Sequence, residues 1–229
     1  VLQLCNAAYF ASGEPVGNVG DAVSRLGFNH IFRIVAVVVG AQAFGGSQKS
    51  YGFEYGELWR HSVAAALAAQ KMAESKGDDG NMAFTAGLLH DIGKNVLAEA
   101  LEDHYLALIE QTAANQQSLL EVEKSILRVQ HAEVGGRLLE RWNFPSELSI
   151  AVAFHHSPGE AKEFQQWAAY TYLGNMIAHF MGYSFGHQAF AFRGRAEALE
   201  LAGIRSDELP HYMMETFEAI QTVEVLFKM

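Results

Sequence analysis

The pattern of this 229-residue sequence predicts an all-α protein folded as a single helical bundle. Three observations carry that expectation. No stretch alternates apolar and polar residues with the period of a strand, apart from the β-branched run Ile34-Val35-Ala36-Val37-Val38-Val39. The four prolines, Pro15, Pro145, Pro158 and Pro210, all stand where a helical period breaks, which leaves long uninterrupted segments between them. Half of the residues are hydrophobic and 18% are charged, enough apolar surface for a full core and far from the composition of disordered chains.

Taken in order, residues Val1 to Asn6 read as helix from the first position and lack the basic and apolar regions of a signal peptide, so the chain is expected to start inside a larger protein. The longest apolar run, Ile34 to Phe44, follows Arg33 and contains Gly40 and Gln42. It falls short of the roughly 20 residues that a membrane span needs, so a buried central helix is expected there despite its β-branched residues. Further helices are predicted over 57–76, 81–89, 95–111, 119–128, 131–142, 145–155, 161–181 and 207–229. Gly77-Asp78-Asp79-Gly80 reads as a C-cap and turn, and Pro145 as the first residue of a helix. The Gly- and Phe-rich stretch from Tyr183 to Arg195 reads as a loop or joint, with 186–229 forming a C-terminal loop and helix packed on the body of the same domain.

Charge and cysteine usage narrow the chemistry. There are 26 acidic and 16 basic residues, a formal balance of −10 that repels phosphate backbones and anionic lipid headgroups, so neither nucleic acid nor membrane is an expected partner. A bound cation could reverse that field inside one pocket, which leaves a small phosphate-containing molecule admissible. Cys5 is the only cysteine, which excludes an intrachain disulfide and thiolate metal cages and fits the reducing cytoplasm.

The chemistry-bearing residues are histidines and carboxylates. His90-Asp91 closes the apolar helix Phe84-Thr85-Ala86-Gly87-Leu88-Leu89, delivering an imidazole and a carboxylate together. Such a doublet can bind one metal through nitrogen and bridge two through the carboxylate oxygens. Glu57 and His61 lie four apart and so share a helix face. His131 begins a later helix, and His155-His156 form an adjacent pair. A site of imidazole and carboxylate without sulfur suits Fe, Mn, Zn or Mg, one ion or two. Any one of these features alone favours a structural role, and His30, His104, His179, His187 and His211 read as ordinary structural histidines.

The segments Leu58 to Ala64, Ala86 to Lys94, His131 to Gly136, Leu138 to Pro145 and Ala151 to Pro158, in that order, resemble the HDOD family, a branch of the HD metal-dependent phosphohydrolase superfamily. Leu4 to Phe10 and Ala22 to Gly27 resemble the family's N-terminal half, so the likeness covers most of 1–185. It implies a bundle of the HD-domain type, found in bacterial signalling proteins beside receiver, cyclic di-GMP or kinase modules. It also implies ligand positions at His61, His90, Asp91, His131, His155 and His156, an outer carboxylate at Glu57, and a phosphate-contacting lysine at Lys94. With Asp91, Lys94 would be the catalytic pair of an active member.

Two departures weigh against strong catalysis. The Gly-Tyr-Pro segment of the related cyclic di-GMP phosphodiesterases is absent, since Lys94 is followed by Asn95-Val96-Leu97. The family's last aspartate ligand aligns with Asn175, a neutral amide. The leading expectation is therefore a signal-transduction output domain with an HD-type metal pocket, acting on other signalling proteins or fused regulatory modules. The alternatives are a metal-dependent phosphohydrolase or cyclic-dinucleotide phosphodiesterase, and a metal-free structural domain.

Overall fold

The computed structural model of the chain describes residues 20, 24, 27, 56–101, 118–183 and 195–227, with side chains up to 221. The expectations for the N-terminal helix, the Ile34–Phe44 run, the end of the 95–111 helix, most of the 183–195 loop, and His30, His104 and His187 lie outside those residues. Among the described residues every regular element is helical and none is a strand, as the pattern predicts.

The elements are α1 (Glu57–Lys76), α2 (Gly80–Leu89), α3 (Ile92–Leu101), α4 (Leu119–Ile126), α5 (His131–Arg141), α6 (Ser146–Ala153), α7 (Gln165–Phe180), α8 (Arg195–Ala202) and α9 (Leu209–Phe227). Two short 3₁₀ turns, Pro158–Glu160 and Lys162–Phe164, precede α7. Local chemistry sets several boundaries. Gly77, at φ 82°, closes α1, and the Asp79 side chain accepts from the backbone N–H groups of Asn81 and Met82 to start α2. Ser118 and Glu121 form a capping box on α4. Several boundaries differ from the sequence pattern, and α8 is a helix in a stretch that the pattern assigned to the C-terminal loop. α3 begins at Ile92 rather than Asn95, because the Lys94 N–H bonds back to the Asp91 carbonyl and the chain re-enters a helix at once. Pro145 is the N-cap of α6 rather than its first residue. The 161–181 segment starts with a 3₁₀ turn in which Lys162 adopts φ 51°, so the α-helix itself starts at Gln165.

α1 is the central helix. It packs against α2, α7 and α9, and Ala64, Ala65, Ala66, Ala68, Ala69 and Ala73 are fully shielded from solvent. Small side chains let the neighbours approach closely. At the α7 contact a Cβ on Gly174 would run into the carbonyl oxygen of Ala65. Behind this row, Met72, Tyr170, Tyr172, Leu173, Met176 and Tyr212 fill one apolar cluster. Each large side chain buried there contributes about 1.5–3 kcal/mol of transfer free energy. α3 and α6 pack on α5, and α6 also meets α2 and α7. A Cβ on Gly93 would run into the carbonyl oxygen of His131, so this glycine allows the first turns of α3 and α5 to touch. That contact brings the residues beside Gly93 and His131 into one pocket.

Candidate metal centre

Five elements deliver the polar groups of the interior. His61 comes from the second turn of α1, His90 and Asp91 from the turn between α2 and α3, Lys94 from the first turn of α3, His131 from the start of α5, and His155 and His156 from the turn after α6. His61, His90, Asp91, Lys94, His131 and His155 are all buried, at 0–2% exposure, and His156 is partly buried. Seven polar side chains gathered out of water need partners, and their hydrogen bonds show how they are arranged.

Four of the rings are held in the same way. Nδ1 of His61 lies 2.6 Å from the carbonyl oxygen of Tyr183, Nδ1 of His90 lies 2.7 Å from that of Gly87, and Nδ1 of His155 lies 2.7 Å from that of Val152. A carbonyl only accepts, so each Nδ1 carries the hydrogen and each ring in its neutral form keeps its lone pair on Nε2. Nδ1 of His131 lies 2.8 Å from Oε2 of Glu123, a fully buried carboxylate that also accepts from the His131 backbone N–H at 3.0 Å. The four Nε2 atoms converge on Asp91. Those of His61 and His90 stand 3.7 and 3.3 Å from Oδ2, and those of His131 and His155 stand 3.3 and 3.9 Å from Oδ1. Lys94 Nζ donates to Oδ2 at 2.6 Å.

The electrostatics keep most of the rings neutral. Burial first, then His179 and His90, hold the His61 imidazole well below its ordinary value. Burial and His90 do the same for His155, and burial and His155 for His156. Burial would raise the Asp91 carboxyl, but His90 and Lys94 outweigh it and hold the group well below the usual carboxylate range. Burial would lower His131, but the Glu123 carboxylate outweighs it and the net shift is upward.

The residues fit a divalent cation. Nε2 of His61 and of His90 are 3.3 Å apart, and two lone pairs facing each other at that distance repel unless a cation lies between them. Two donors about 2.0–2.1 Å from one tetrahedral ion stand about 3.3 Å from each other, which is the spacing seen here. His155 Nε2 and His156 Nδ1 are buried and make no hydrogen bond. Ligand atoms within 4.8 Å of one another fall into two sets, His61, His90 and Asp91, and His131, His155 and His156. Outer acceptors that fix each ring while leaving the inner nitrogen bare are the usual support of metal-binding histidines.

The HDOD domain family profile matches residues 1–158, more than half of the chain. The chain belongs to the HDOD domain family. An uncharacterized protein of Treponema pallidum (strain Nichols) is 27% identical over 184 residues, 79% of this chain and 35% of that protein. Ribonuclease Y of Acholeplasma laidlawii (strain PG-8A) is 29% identical over 140 residues, 61% of this chain and 20% of the enzyme. The chain thus spans about a third of one of these relatives and a fifth of the other. Among solved structures, a protein from Marinobacter aquaeolei VT8, described provisionally as a signal transduction protein, superposes with a TM-score of 0.77 at 20% identity. That match covers 98% of this chain and 50% of the other, and it speaks to the fold.

Within this HDOD domain the structure brings together His61, His90, Asp91, Lys94, His131, His155 and His156. Glu57 lies outside both ligand sets, half-buried in the first turn of α1, where a carboxylate suits the helix dipole. Asn175 is buried, at 3% exposure, with an Oδ1 that accepts no hydrogen bond. It shares a face of α7 with His179, one turn on. Two residues beside the pocket escape a reading of the sequence. His179, grouped above with the ordinary structural histidines, sets its ring 4.7 Å from that of His61 and is pushed down to about 3, by burial first and then by Lys94. Glu123 lies eight residues before His131, and its signal is a carboxylate at an i, i+4 place behind Leu119, on the apolar face of an amphipathic helix.

Proposed function

We propose that this HDOD domain is a signal-transduction output module whose His/Asp pocket holds a divalent metal and turns over phosphate esters weakly or not at all. One observation carries the reading: four buried rings spend Nδ1 on an outer acceptor and turn Nε2 toward a single carboxylate. Fe, Mn, Zn or Mg matches that donor set. Held by His61, His90, Asp91, His131, His155 and His156, the metal would supply charge to a phosphoryl oxygen and acidify a bound water. The chain's own part is to keep His61, His155 and His156 neutral, to fix the rings and to exclude bulk water. The amide at Asn175, where the resembling family carries an aspartate, removes one negative charge that would hold metal and orient water. The absence of a Gly-Tyr-Pro segment after Lys94 argues in the same direction. Other signalling proteins or fused regulatory modules are the proposed partners, and the cytoplasm the proposed compartment. No described helix is long and apolar enough to cross a membrane.

A phosphohydrolase is the second reading. It is favoured by the buried Lys94 ammonium at the pocket, a group that suits phosphate, and by the relation to a ribonuclease. The net charge of −10 sets RNA aside as a substrate in favour of a small phosphate compound. Elemental analysis of protein purified without chelator, paired with turnover of a generic phosphodiester, tests both readings. The signalling reading expects stoichiometric metal and negligible turnover, with Asn175→Asp binding metal at least as well as the parent. Robust metal-dependent hydrolysis by the parent transfers the function to the second reading, and metal-free protein that takes up no added metal defeats both.

A further inference from the structure

The cluster is unequal about Asp91. On the Oδ2 side stand His61 and His90, whose outer acceptors are the neutral carbonyls of Tyr183 and Gly87, and here Lys94 donates to the carboxylate at 2.6 Å. On the Oδ1 side stand His131 and His155, with His156 Nε2 3.0 Å from His131 Nε2, and the outer acceptor of His131 is a second carboxylate, Glu123. One half therefore carries an extra positive charge and the other an extra negative charge, both buried and poorly screened by solvent.

Building on the reading that the pocket holds metal, we propose that Lys94 and Glu123 set the order and number of ions. One divalent cation settles first among His131, His155, His156 and Asp91 Oδ1. A second enters the His61–His90 half weakly while Lys94 remains paired with Oδ2. The physical reasons are separate. An ammonium hydrogen-bonded to Oδ2 competes for the lone pairs that a second cation would use, and it repels that cation at short range. Glu123 polarises the Nδ1–H of His131, which strengthens Nε2 as a donor and fixes the ring's direction. Glu123 is thus a positioning residue that acts through His131, and Lys94 a residue that biases stoichiometry from beside the bridging carboxylate. An anion that draws Lys94 away from Asp91, inorganic phosphate being the simplest, would open the second half.

The test is calorimetric titration of the chelator-stripped full chain with Zn²⁺ and separately with Mn²⁺, with stoichiometry checked by elemental analysis. The parent is expected to show two steps separated by at least about tenfold in affinity. Lys94→Met tightens the second step by about tenfold or more and the first by less, so that the gap narrows, whereas Lys94→Arg keeps the parent's two-step form. Glu123→Gln weakens the first step by about 10–100-fold and spares the second. Inorganic phosphate at millimolar concentration narrows the gap in the parent and has little effect in Lys94→Met. Two equal steps in the parent, or a gap that survives in Lys94→Met, would overturn the inference while leaving the metal pocket standing. Absence of binding by parent and variants alike would remove both. Because the parent's isotherm and Lys94→Arg already decide the matter, loss of folding in Lys94→Met does not shield the proposal.

Discussion

The two ends of α1 sit in opposite environments. Toward its N-terminus, His61 meets His90, Asp91 and His179, a polar interior whose lone pairs and charges oppose one another. From Ala64 onward the same helix buries a row of alanines and Met72 against the apolar faces of α2, α7 and α9. The difference teaches a division of labour. The alanine end is close-packed and almost wholly apolar, Gln70 being its one fully buried polar side chain, so it carries the stability. The histidine end consumes part of that stability to hold imidazoles where a cation can use them. A change at the polar end should alter metal binding with the fold retained, and a change at the alanine end should cost stability throughout.

The largest expected effect is at the polar end. Asp91→Ala removes the shared carboxylate and leaves the Lys94 ammonium buried without it. Breaking a buried pair on one side costs about 3–5 kcal/mol, so this variant should lose metal and much of its stability together. Adding Lys94→Met removes the buried ammonium that Asp91 offsets and should restore most of the stability but none of the metal. Urea melts and elemental analysis of the single and double variants separate the two effects. A double variant as unstable as the single one would show that Asp91 supports the fold by some route other than Lys94.

At the alanine end, Gly174→Val forces a branched side chain into the carbonyl oxygen of Ala65 and the side chain of Ala69. A backbone atom cannot swing aside, so α1 and α7 must separate, at a cost of about 3 kcal/mol. The loss should be the same with and without metal. A variant within about 0.5 kcal/mol of the parent, the range of ordinary surface changes, would mean that the helices are not as close as the structure has them.

The third expectation is a pH dependence of the metal-free protein. His61, His155 and His156 are held well below 6.5 by burial and by their neighbours, and His179 is lowered to about 3. Unfolded imidazoles take up protons as pH falls through about 6.5 while these folded ones stay neutral, so below that pH the unfolded chain binds more protons. Stability is therefore full above about 6.5 and declines as pH drops toward the folded values. His131 is raised and acts in the opposite sense. Thermal melts from pH 8 to 5 should show the midpoint falling only on the acid side. A midpoint that rises on acidification would mean the rings are already charged in the folded state.

Much of this arrangement was legible in the sequence because helical period and chain order both encode it. His90-Asp91, Glu57 with His61, His131 and His155-His156 stand out by residue type and spacing, and the resemblance to the HDOD family sets them in order as ligand positions. What was not legible depends on contacts between distant segments. Glu123 reads as one more surface acid until α4 is seen to turn its Leu119 face, and Glu123 with it, into the core. His179 reads as an ordinary structural histidine until α7 is laid against α1 through Gly174. Glu57 was legible as a neighbour of His61 by spacing, but spacing fixes a helix face and not the depth at which the face enters the core. The polarity of Lys94 was visible too. That its ammonium would favour one oxygen of Asp91 required the geometry of the turn between α2 and α3.

The smallest expected effect probes whether the two ends of α1 are independent. Tyr170, on α7, donates its hydroxyl to Asp78 Oδ2 at 2.6 Å, and Gln166 donates to the same oxygen at 2.8 Å. Asp78 lies in the turn that joins α1 to α2, so this bond ties α7 to the far end of α1 from His61. Burial, and then the hydrogen bond to Asp78, push the phenol further above its ordinary value, so the group stays a donor at every accessible pH. Tyr170→Phe keeps the buried ring and deletes one hydrogen bond to a charged acceptor, which should cost about 1–2 kcal/mol because Gln166 still serves the carboxylate. Metal affinity should change by less than about twofold, since sites well separated in a structure act additively. A larger shift in affinity would mean that strain at the Asp78 turn reaches His61 along α1, and the division between a stabilising end and a metal-holding end would then have to be abandoned.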